Sequence, residues 1–349
     1  MHRTENGQAF AIPSSVHRRA PEEAAVSRQL RWGILGTASI CERMIPAIVG
    51  HSGSCLTAVA SRTGDRARTF AARYGIPAAF ASYDALISSG DVDAVYIPLP
   101  NSLHREWAVR SLEAGLHVLC EKPLALDVRE AEEIEAAARR SGRVVVEAFM
   151  YRHHPVYTRL FELLDSGLIG SVVAMDSVFS FLLDEPGSIV DSAELGGGAL
   201  ADVGCYCINL SRRVAGCEPS RVEAASVGAQ VDDSMTGILQ FPNGVLARFF
   251  TSIRSAERHQ AVIQGTTGSF VLDSPWHPGD DEASIRLQRH GQEDRLIRVA
   301  GSNSYSLQVA DFVDACTGRS SPRWPVQDAV ANLRVMDALR LSSRKSAES

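Results

Sequence analysis

The sequence contains very little lysine. Of its 35 lysine and arginine residues only two are lysines, Lys122 and Lys345, and the second lies in a polar stretch close to the C-terminus. Where the chain only needs positive charge, it therefore uses arginine. Lysine differs from arginine in being a compact amine whose pKa can fall on burial, whereas a guanidinium stays charged. The scarcity of lysine predicts a chemical role for Lys122.

Three further features are missing, and each excludes a class of protein. No apolar run approaches the ~18 residues of a membrane span, and the N-terminus lacks the apolar core of a signal peptide, so we expect a cytoplasmic protein. The formal charge is -6 and the arginines are scattered, which argues against a nucleic-acid partner. The seven cysteines form no Cys-x-x-Cys pair and have no histidine at zinc spacing, so we expect reduced thiols and no metal site.

The chain has 349 residues, 45% of them hydrophobic, and is long enough for two domains. Residues 1–30 show no sustained hydrophobic period and many helix breakers, which predicts a flexible leader. Between residues 31 and 150, short apolar runs alternate with amphipathic helices. This alternation predicts an α/β Rossmann domain, in which helices cover both faces of a doubly wound parallel sheet.

After residue 150 the pattern changes. A helix and a long strand are followed, from Ser220 to Ala300, by short strands with alternating polarity. Asn243 and Gly244 lie between two of these strands and are typical of a hairpin turn. We therefore expect residues 151–349 to form an α+β domain with an open, mostly antiparallel sheet, on which two late helices pack.

Several polar residues directly follow predicted strands of the first domain. In parallel sheets, ligands bind beyond the carboxyl ends of the strands, so these residues should share one edge. The turn after the first strand, GTASIC at 36–41, keeps only the first glycine of the G-x-G-x-x-G fingerprint and by itself leaves the ligand open. We predict that the cofactor-binding residues are Gly36, Thr37, Ala38, Ser61, Arg62, Pro98, Leu99, Asn101, His104, Glu121 and Lys122.

The end of the second strand indicates which nucleotide binds. An NAD site places an acid here on the ribose 2′-hydroxyl, whereas this chain has Ser61, Arg62 and Thr63. A guanidinium and two hydroxyls would receive a 2′-phosphate that an acid would repel. The alternative is that Arg62 is one more solvated arginine. We predict NADP as the cofactor, in preference to NAD.

A glycine-rich stretch, ELGGGALADVGCY at 194–206, supplies the candidate substrate ligands. A helix from about Ala199 would place Asp202 and Tyr206 at i and i+4, one turn apart on one face. An acid and a phenol at this spacing suit a carbohydrate hydroxyl. The alternative is a surface aspartate and a half-buried tyrosine in an ordinary helix.

These segments together resemble a known family. GILGTASI, the SR after the second strand, LPNSLHREWA, CEKPLAL, EAFMYRHHP and GGGALADVGCY are similar to successive motifs of the Gfo/Idh/MocA oxidoreductases, over residues 31–342. The resemblance implies nicotinamide-dependent oxidoreduction of a sugar, polyol or related ring. It also implies that the second domain binds substrate and forms a homodimer or homotetramer through its sheet.

Carried over to this chain, the resemblance places Lys122 near the nicotinamide and Asp202 on the substrate. Arg152 follows the last Rossmann strand and is a further candidate substrate ligand in the interdomain cleft. His153 and His154 are left out of the catalytic set, because a histidine pair at a domain junction is as often structural. The Lys122-Pro123 bond is a candidate cis peptide.

Many members have a histidine where this chain has Tyr206, and the tyrosine resembles the branch with dihydrodiol dehydrogenase, xylose dehydrogenase and sugar 3-ketoreductases. We predict that Tyr206 carries the proton and that the Lys122 ammonium lowers its pKa. In the rival hypothesis Lys122 carries the proton and Tyr206 orients the substrate.

Three functions remain open. The first is an NADP-dependent oxidoreductase of a free sugar, polyol or cyclic diol, and the second is a ketoreductase of a nucleotide-linked deoxysugar. The third, a non-catalytic NADP-binding sensor, is disfavoured because Lys122, Asp202 and Tyr206 are present together.

Overall fold

A computed structural model describes residues 29–184 and 187–347, with side chains to residue 345, so most of the predicted leader lies outside the described residues. Six strands form one parallel sheet: β1 (Leu30–Leu35), β2 (Ser54–Ala60), β3 (Ala78–Phe80), β4 (Ala94–Ile97), β5 (His117–Cys120) and β6 (Val145–Glu147). Their order is β3-β2-β1-β4-β5-β6, so the chain winds in opposite directions from β1. This order confirms the predicted Rossmann sheet.

Helices cover this sheet: α1 (Cys41–Gly50), α2 (Gly64–Tyr74), α3 (Tyr83–Ile87), α4 (Asn101–Glu113) and α5 (Val128–Ser141). Asp127 caps the N-terminus of α5, because its side chain accepts from the Glu130 N–H at 2.8 Å. Sequence patterns did not predict β3 and α3, since elements of three and five residues are too short to show a period.

The second half contains α6 (Pro155–Asp165), β7 (Val172–Leu182), α7 (Cys205–Ala215), β8 (Arg221–Val227), β9 (Ser234–Gln240), β10 (Leu246–Ser252), β11 (Arg254–Gly265), β12 (Ser269–Leu272), β13 (Glu282–Gln288), β14 (Arg295–Ala300), α8 (Ser304–Cys316) and α9 (Val326–Ala347). Its sheet has the order β14-β13-β12-β11-β7-β10-β9-β8, and only β7 and β10 pair in parallel. The predicted open, mostly antiparallel sheet is therefore confirmed, and so is the β9–β10 hairpin at Gly244.

Helix α8 packs against α1 in the first domain, although it follows the second sheet in sequence. The rings of Trp32 in β1 and Phe312 in α8 lie 4.9 Å apart, and Val309 and Val313 are buried in the same cluster. A hydrophobic period locates a helix but does not say which sheet it covers. The division at residue 150 therefore assigns to the second domain a helix that completes the core of the first.

Within the described ranges, no helix is long and apolar enough to cross a membrane. The same residues contain no group of three or more histidine, cysteine or acidic side chains that could hold a metal ion. All seven cysteines are free thiols.

Candidate functional site

The turn after β1 opens a groove at the carboxyl edge of the parallel sheet. Gly36 has a φ of 119°, and a Cβ at this position would lie 3.0 Å from Leu99 Cδ2. Only glycine fits here, so the backbone of the turn stays open to a ligand. The groove has a volume of about 270 Å³ and is lined by predicted cofactor residues, namely Gly36, Thr37, Ala38, Ser61, Arg62, Pro98 and Leu99. We call it the cofactor groove.

Two arginines border the cofactor groove, of which the sequence analysis identified one. Arg62 is exposed directly after β2, and Arg66 in the first turn of α2 donates to Thr37 Oγ1 at 3.3 Å. No acidic side chain is among the described residues that line the groove. Two guanidinium groups and a hydroxyl suit the 2′-phosphate of NADP, so these residues fit NADP better than NAD. Sequence reasoning could have found Arg66, because this residue lies four positions after Arg62 at the start of a helix.

A second cavity, of about 460 Å³, continues from the cofactor groove into the space between the domains. The two share Ala38, Pro98 and Leu99 in their walls. We call this second space the central cavity. Its walls include the predicted residues Asn101, Glu121, Lys122, Asp202 and Tyr206. The tertiary structure therefore brings together residues that are up to 105 positions apart in the sequence.

Lys122 and Asp202 form an ion pair across the domain junction. The Lys122 ammonium donates to Asp202 Oδ1 at 2.8 Å and to the Asp202 carbonyl oxygen at 2.7 Å. Burial is the largest single effect and by itself would lower the pKa of Lys122, but Asp202, with contributions from Tyr206 and Cys205, more than offsets burial and holds that pKa well above its usual value. Burial therefore does not lower the pKa of this particular amine. Lys122 is a fixed positive charge.

The sequence pattern predicted that Asp202 lies in an α-helix. The structure differs from this prediction. Leu200–Gly204 form a π-helical turn, and α7 begins only at Cys205. The Ala199 carbonyl oxygen accepts a hydrogen bond from Thr251 Oγ1 at 3.0 Å, and the Leu200 N–H donates to Asp232 Oδ2 at 2.6 Å. These contacts, from Thr251 on β10 and from Asp232 in the loop between β8 and β9, support the π-helical turn. Single π-helical turns are frequent at functional sites.

Tyr206 lies beside Lys122 in a cluster of aromatic rings. The Lys122 ammonium is 5.4 Å from the centre of the Tyr206 ring, and the Tyr206 hydroxyl donates to Met150 Sδ at 3.7 Å. Burial raises the pKa of Tyr206 well above its usual range, and the Lys122 charge offsets only part of this rise. The prediction that Lys122 lowers the pKa of Tyr206 below that of free tyrosine is therefore wrong. The phenol is protonated at neutral pH.

Three of the predicted cofactor-side residues hold loops in place. Asn101 Nδ2 donates to the Gly196 carbonyl oxygen at 2.8 Å, which joins α4 to the glycine-rich loop. Glu121 Oε1 accepts from the Tyr96 hydroxyl at 2.7 Å. His104 is fully buried, and its ring nitrogens lie 2.8 Å from the carbonyl oxygens of Pro123 and Leu99.

His104 is therefore not in contact with either cavity, in contrast to the prediction. Its two carbonyl partners lie in the loops that follow β4 and β5, so the imidazole ties the Lys122 loop to its neighbour. The Lys122-Pro123 peptide bond in this loop, a candidate cis peptide in the sequence, is cis. His104 therefore lies under the loop that carries Lys122 and does not line the site.

Arg152 was a candidate substrate ligand, but the structure places it in the packing between domains. Its side chain is 3% exposed and is paired with Asp328 of α9. The guanidinium also lies over the rings of Phe149 and Trp324, at 5.0 and 4.7 Å. Because its charge is paired with Asp328, its side chain is buried and it does not line the central cavity, Arg152 is not available as a substrate ligand. The neighbouring His154 caps α6 by accepting from the Val156 N–H at 3.1 Å.

The second sheet contributes cavity residues that the sequence analysis missed. Phe179 on β7 and His259 on β11 are directly paired across the sheet, and both line the central cavity together with His277 and Tyr305. Alternating polarity predicts the strands but not their register, and register decides which side chains become neighbours. No signal within one strand could have identified this wall.

Comparison with known proteins agrees with this geometry. Residues 30–149 match the GFO/IDH/MocA oxidoreductase family with its NAD-binding Rossmann fold, and residues 157–271 match the GFO/IDH/MocA C-terminal domain. The chain is 36% identical over 324 residues to an NADP⁺-dependent D-xylose 1-dehydrogenase from Haloferax volcanii, covering 91% of this chain and 98% of the relative.

A second relative acts on a nucleotide-linked sugar. This dTDP-3,4-didehydro-2,6-dideoxy-α-D-glucose 3-reductase from Actinomadura kijaniata is 32% identical over 328 residues, which cover 93% of this chain and 98% of the relative. The crystal structure of a 3-ketoreductase from the same organism, in complex with NADP and TDP-benzene, superposes with a TM-score of 0.86 at 31% identity. That superposition covers 90% of this chain and 98% of the ketoreductase.

Proposed function

The chain belongs to the GFO/IDH/MocA oxidoreductase family, and we propose that it is an NADP-dependent enzyme acting on a free sugar, polyol or cyclic diol. The observation that carries this proposal is the Lys122–Asp202 pair beside Tyr206, in a cavity that continues into a groove bordered by two arginines. A sensor without turnover would need the groove but not the three reactive side chains.

Residues of this chain fit NADP in a definite arrangement. The open turn at Gly36 would receive the pyrophosphate, and Thr37, Arg62 and Arg66 would bind the 2′-phosphate. NADP(H), when bound, supplies or accepts the hydride at the substrate carbon. The residues of the central cavity then have to stabilise the charge that develops on the substrate oxygen and move one proton.

Lys122 and Tyr206 divide this task. An ammonium has three N–H donors, of which Lys122 uses two on Asp202 and directs the third to the substrate oxygen. In the reduction direction Tyr206 gives its phenolic proton to that oxygen, and Lys122 stabilises the resulting phenolate. The Tyr206 hydroxyl currently donates to a thioether sulfur, which is a weak acceptor, so it turns toward a substrate oxygen at little cost.

Asp202 has a double role in this proposal. It holds the Lys122 ammonium, and its second carboxylate oxygen accepts from a substrate hydroxyl beside the reacting carbon. In the oxidation direction the same groups act in reverse, and the hydroxyl proton passes to Tyr206.

Charge favours an uncharged substrate in the central cavity. Its one lysine is neutralised by Asp202, and the described lining includes Glu121 and Glu257 but no arginine. A nucleotide diphosphate is usually held by several arginines or by helix N-termini. A single exposed guanidinium, Arg43, lines an adjoining cavity of about 540 Å³, where Asp280 lies as well. Arg43 is the observation on the other side, and it makes a nucleotide-linked deoxysugar the second candidate substrate.

We further propose that the chain forms a homodimer or homotetramer through the outer face of its second sheet. Ile238, Leu246 and Phe250 on β9 and β10 are 40–50% exposed on that face. Neighbouring apolar side chains on one sheet face favour association with a second copy. Analytical ultracentrifugation of the wild type and of Phe250→Arg would test this, with a shift toward monomer expected for the variant.

The function is tested by a substrate screen. The absorbance of NADPH would be followed with D-xylose, D-glucose, myo-inositol and a cyclic diol in the presence of NADP⁺, and with a dTDP-linked ketosugar in the presence of NADPH. We expect turnover with a free sugar, polyol or diol. Turnover of the dTDP-linked ketosugar alone would select the second candidate. Tight NADPH binding without any turnover would select the sensor.

A further inference from the structure

Two histidines of the second domain, one on β11 and one in the loop after β12, meet an aromatic ring on the wall of the central cavity. The ring of His259 lies 4.5 Å from that of Phe179, and the ring of His277 lies 5.9 Å from Phe179 and 5.7 Å from His259. Phe179 in turn is 5.4 Å from Tyr206. The histidines are therefore separated from the proposed proton donor by about the width of one ring.

Packing contacts within the protein hold this wall in place. Trp276, next to His277 in the chain, stacks on Phe179 with an interplanar angle of 8° and donates from Nε1 to the Val178 carbonyl oxygen at 3.0 Å. These contacts anchor the loop after β12, while the register between β7 and β11 fixes His259. Polar groups held by such packing recognise a ligand with little loss of entropy.

The imidazoles have hydrogen-bonding capacity that their own structure leaves unused. The described residues give the His277 ring no hydrogen-bonding partner, and the nearest one for His259 Nε2 is the exposed Glu257 at 3.5 Å. Burial lowers the pKa of His259, so its ring is neutral at neutral pH. A neutral imidazole presents one N–H donor and one acceptor nitrogen, which matches what a hydroxyl group offers.

We propose that His259 and His277 are substrate-specificity residues, which bind hydroxyl groups on the far side of the sugar ring and select it over the corresponding deoxysugar. This inference rests on the proposed function. A ring whose reacting carbon lies at Lys122 and Tyr206 extends across Phe179 toward the two histidines. Its apolar C–H face packs on the Phe179 ring, and its distal hydroxyls exchange hydrogen bonds with the imidazoles.

The selection has a physical basis in desolvation. A bound ring displaces water from both imidazoles, so an analogue that lacks the hydroxyl leaves a donor or an acceptor unpaired. We expect kcat/KM to fall by about tenfold to a hundredfold for such an analogue. This would make 2,6-dideoxysugars poor substrates and separate this chain from ketoreductases that act on them.

The test compares D-xylose and D-glucose with their monodeoxy analogues, in the wild type and four variants. His259→Phe and His277→Phe keep an aromatic ring but remove both nitrogens, whereas His259→Gln and His277→Gln keep a donor and an acceptor. We expect the phenylalanine variants to raise KM with little change in kcat, and to discriminate against the deoxysugar by less than about threefold. The glutamine variants should recover part of the discrimination.

His290→Phe is the matched control, because His290 is exposed between β13 and β14 and lines neither cavity. Unfolding temperature and NADPH affinity would show that each variant is folded. A wild type that turns over no sugar, polyol or diol overturns the proposed function and this inference with it. An active wild type whose preference for the hydroxylated sugar persists in all four variants overturns this inference alone.

Discussion

The Lys122 ammonium donates both to Asp202 Oδ1, at 2.8 Å, and to the Asp202 carbonyl oxygen, at 2.7 Å. One residue of the second domain thereby fixes the position and the charge of a side chain from the first. The cavity between the domains closes around this pair, so correct docking of the two domains is a condition for a complete site. This geometry also explains why a compact ammonium is present here. A planar guanidinium would not place its donors on both Asp202 oxygens and on a substrate oxygen as well.

The first prediction concerns Lys122. We expect Lys122→Ala and Lys122→Arg to lower kcat by roughly 10²–10⁴-fold, because the substrate oxygen loses a positioned donor and Tyr206 loses its partner charge. NADPH affinity and unfolding temperature should change little in the arginine variant. Lys345→Arg is the control, since it replaces the second lysine near the C-terminus. Wild-type turnover in Lys122→Arg would contradict the argument from the scarcity of lysine.

The second prediction concerns cofactor choice. Arg62→Ala and Arg66→Ala should each weaken NADP(H) binding by about tenfold to a hundredfold and leave NAD(H) binding nearly unchanged, because only NADP carries the 2′-phosphate. Fluorescence titration with both reduced cofactors measures the two affinities. Arg68→Ala serves as the control, because Arg68 is exposed on the same helix and is paired with Asp65. An equal loss for both cofactors would show that these arginines do not contact the phosphate.

The third prediction concerns Tyr206. Tyr206→Phe removes the phenolic proton but keeps the ring, so we expect kcat to fall while the fold is retained. The high pKa of Tyr206 means that the phenol stays protonated well into the alkaline range, so the rate of reduction should not decline between neutral and mildly alkaline pH. If the phenylalanine variant keeps its kcat and only raises KM, Lys122 carries the proton and Tyr206 orients the substrate.

The fourth prediction concerns stability at low pH. Burial lowers the pKa of His153 to about 3, below its unfolded value of 6.5. The unfolded chain therefore binds a proton that the folded chain does not, and the contribution of His153 to stability is present above pH 6.5 and is lost as the pH falls. His153→Phe should thus lose less stability than the wild type between about pH 6.5 and pH 4.5, as measured by urea unfolding.

Glu147→Gln provides the comparison of opposite sign. Burial raises the pKa of Glu147 to about 7 from 4.5, so its contribution to stability is present below pH 4.5 and is lost as the pH rises through 7. Glu147→Gln should therefore make the free energy of unfolding fall more steeply on acidification. His153→Phe should make it fall less steeply. Identical pH profiles for both variants and the wild type would contradict the assigned protonation states.

The alternation of strands and helices in the first domain, apart from β3 and α3, could be predicted from the sequence, and so could the cap at Asp127 and the hairpin at Gly244. These features depend on short-range effects, namely hydrophobic periodicity, side chains that cap nearby backbone groups, and turns that need glycine. The candidate residues Lys122, Asp202 and Tyr206 were also identified from the sequence, through residue scarcity, spacing and resemblance. They lie together in the structure because the π-helical turn and α7 of the second domain lie against the sheet edge where Lys122 follows β5.

The remaining features of the site depend on contacts between distant parts of the chain. The strand pairing that sets His259 beside Phe179 is determined by register, and the π-helical turn at Asp202 is held by Thr251 of the second sheet and by Asp232 in the loop before β9. His104 and Arg152 carry ordinary sequence signals for binding, but burial directs the first to loop carbonyls and the second to Asp328.

The protonation of Tyr206 likewise depends partly on the sequence and partly on the tertiary structure. The sequence placed a positive charge near a phenol, and this pair alone predicts a lowered pKa for Tyr206. The structure reverses that sign, because the cost of burying a phenolate exceeds the attraction of one ammonium that Asp202 already neutralises. Local patterns determine which residues are present and which element carries them. Desolvation and partner choice depend on everything packed around a side chain, and only the tertiary structure decides these.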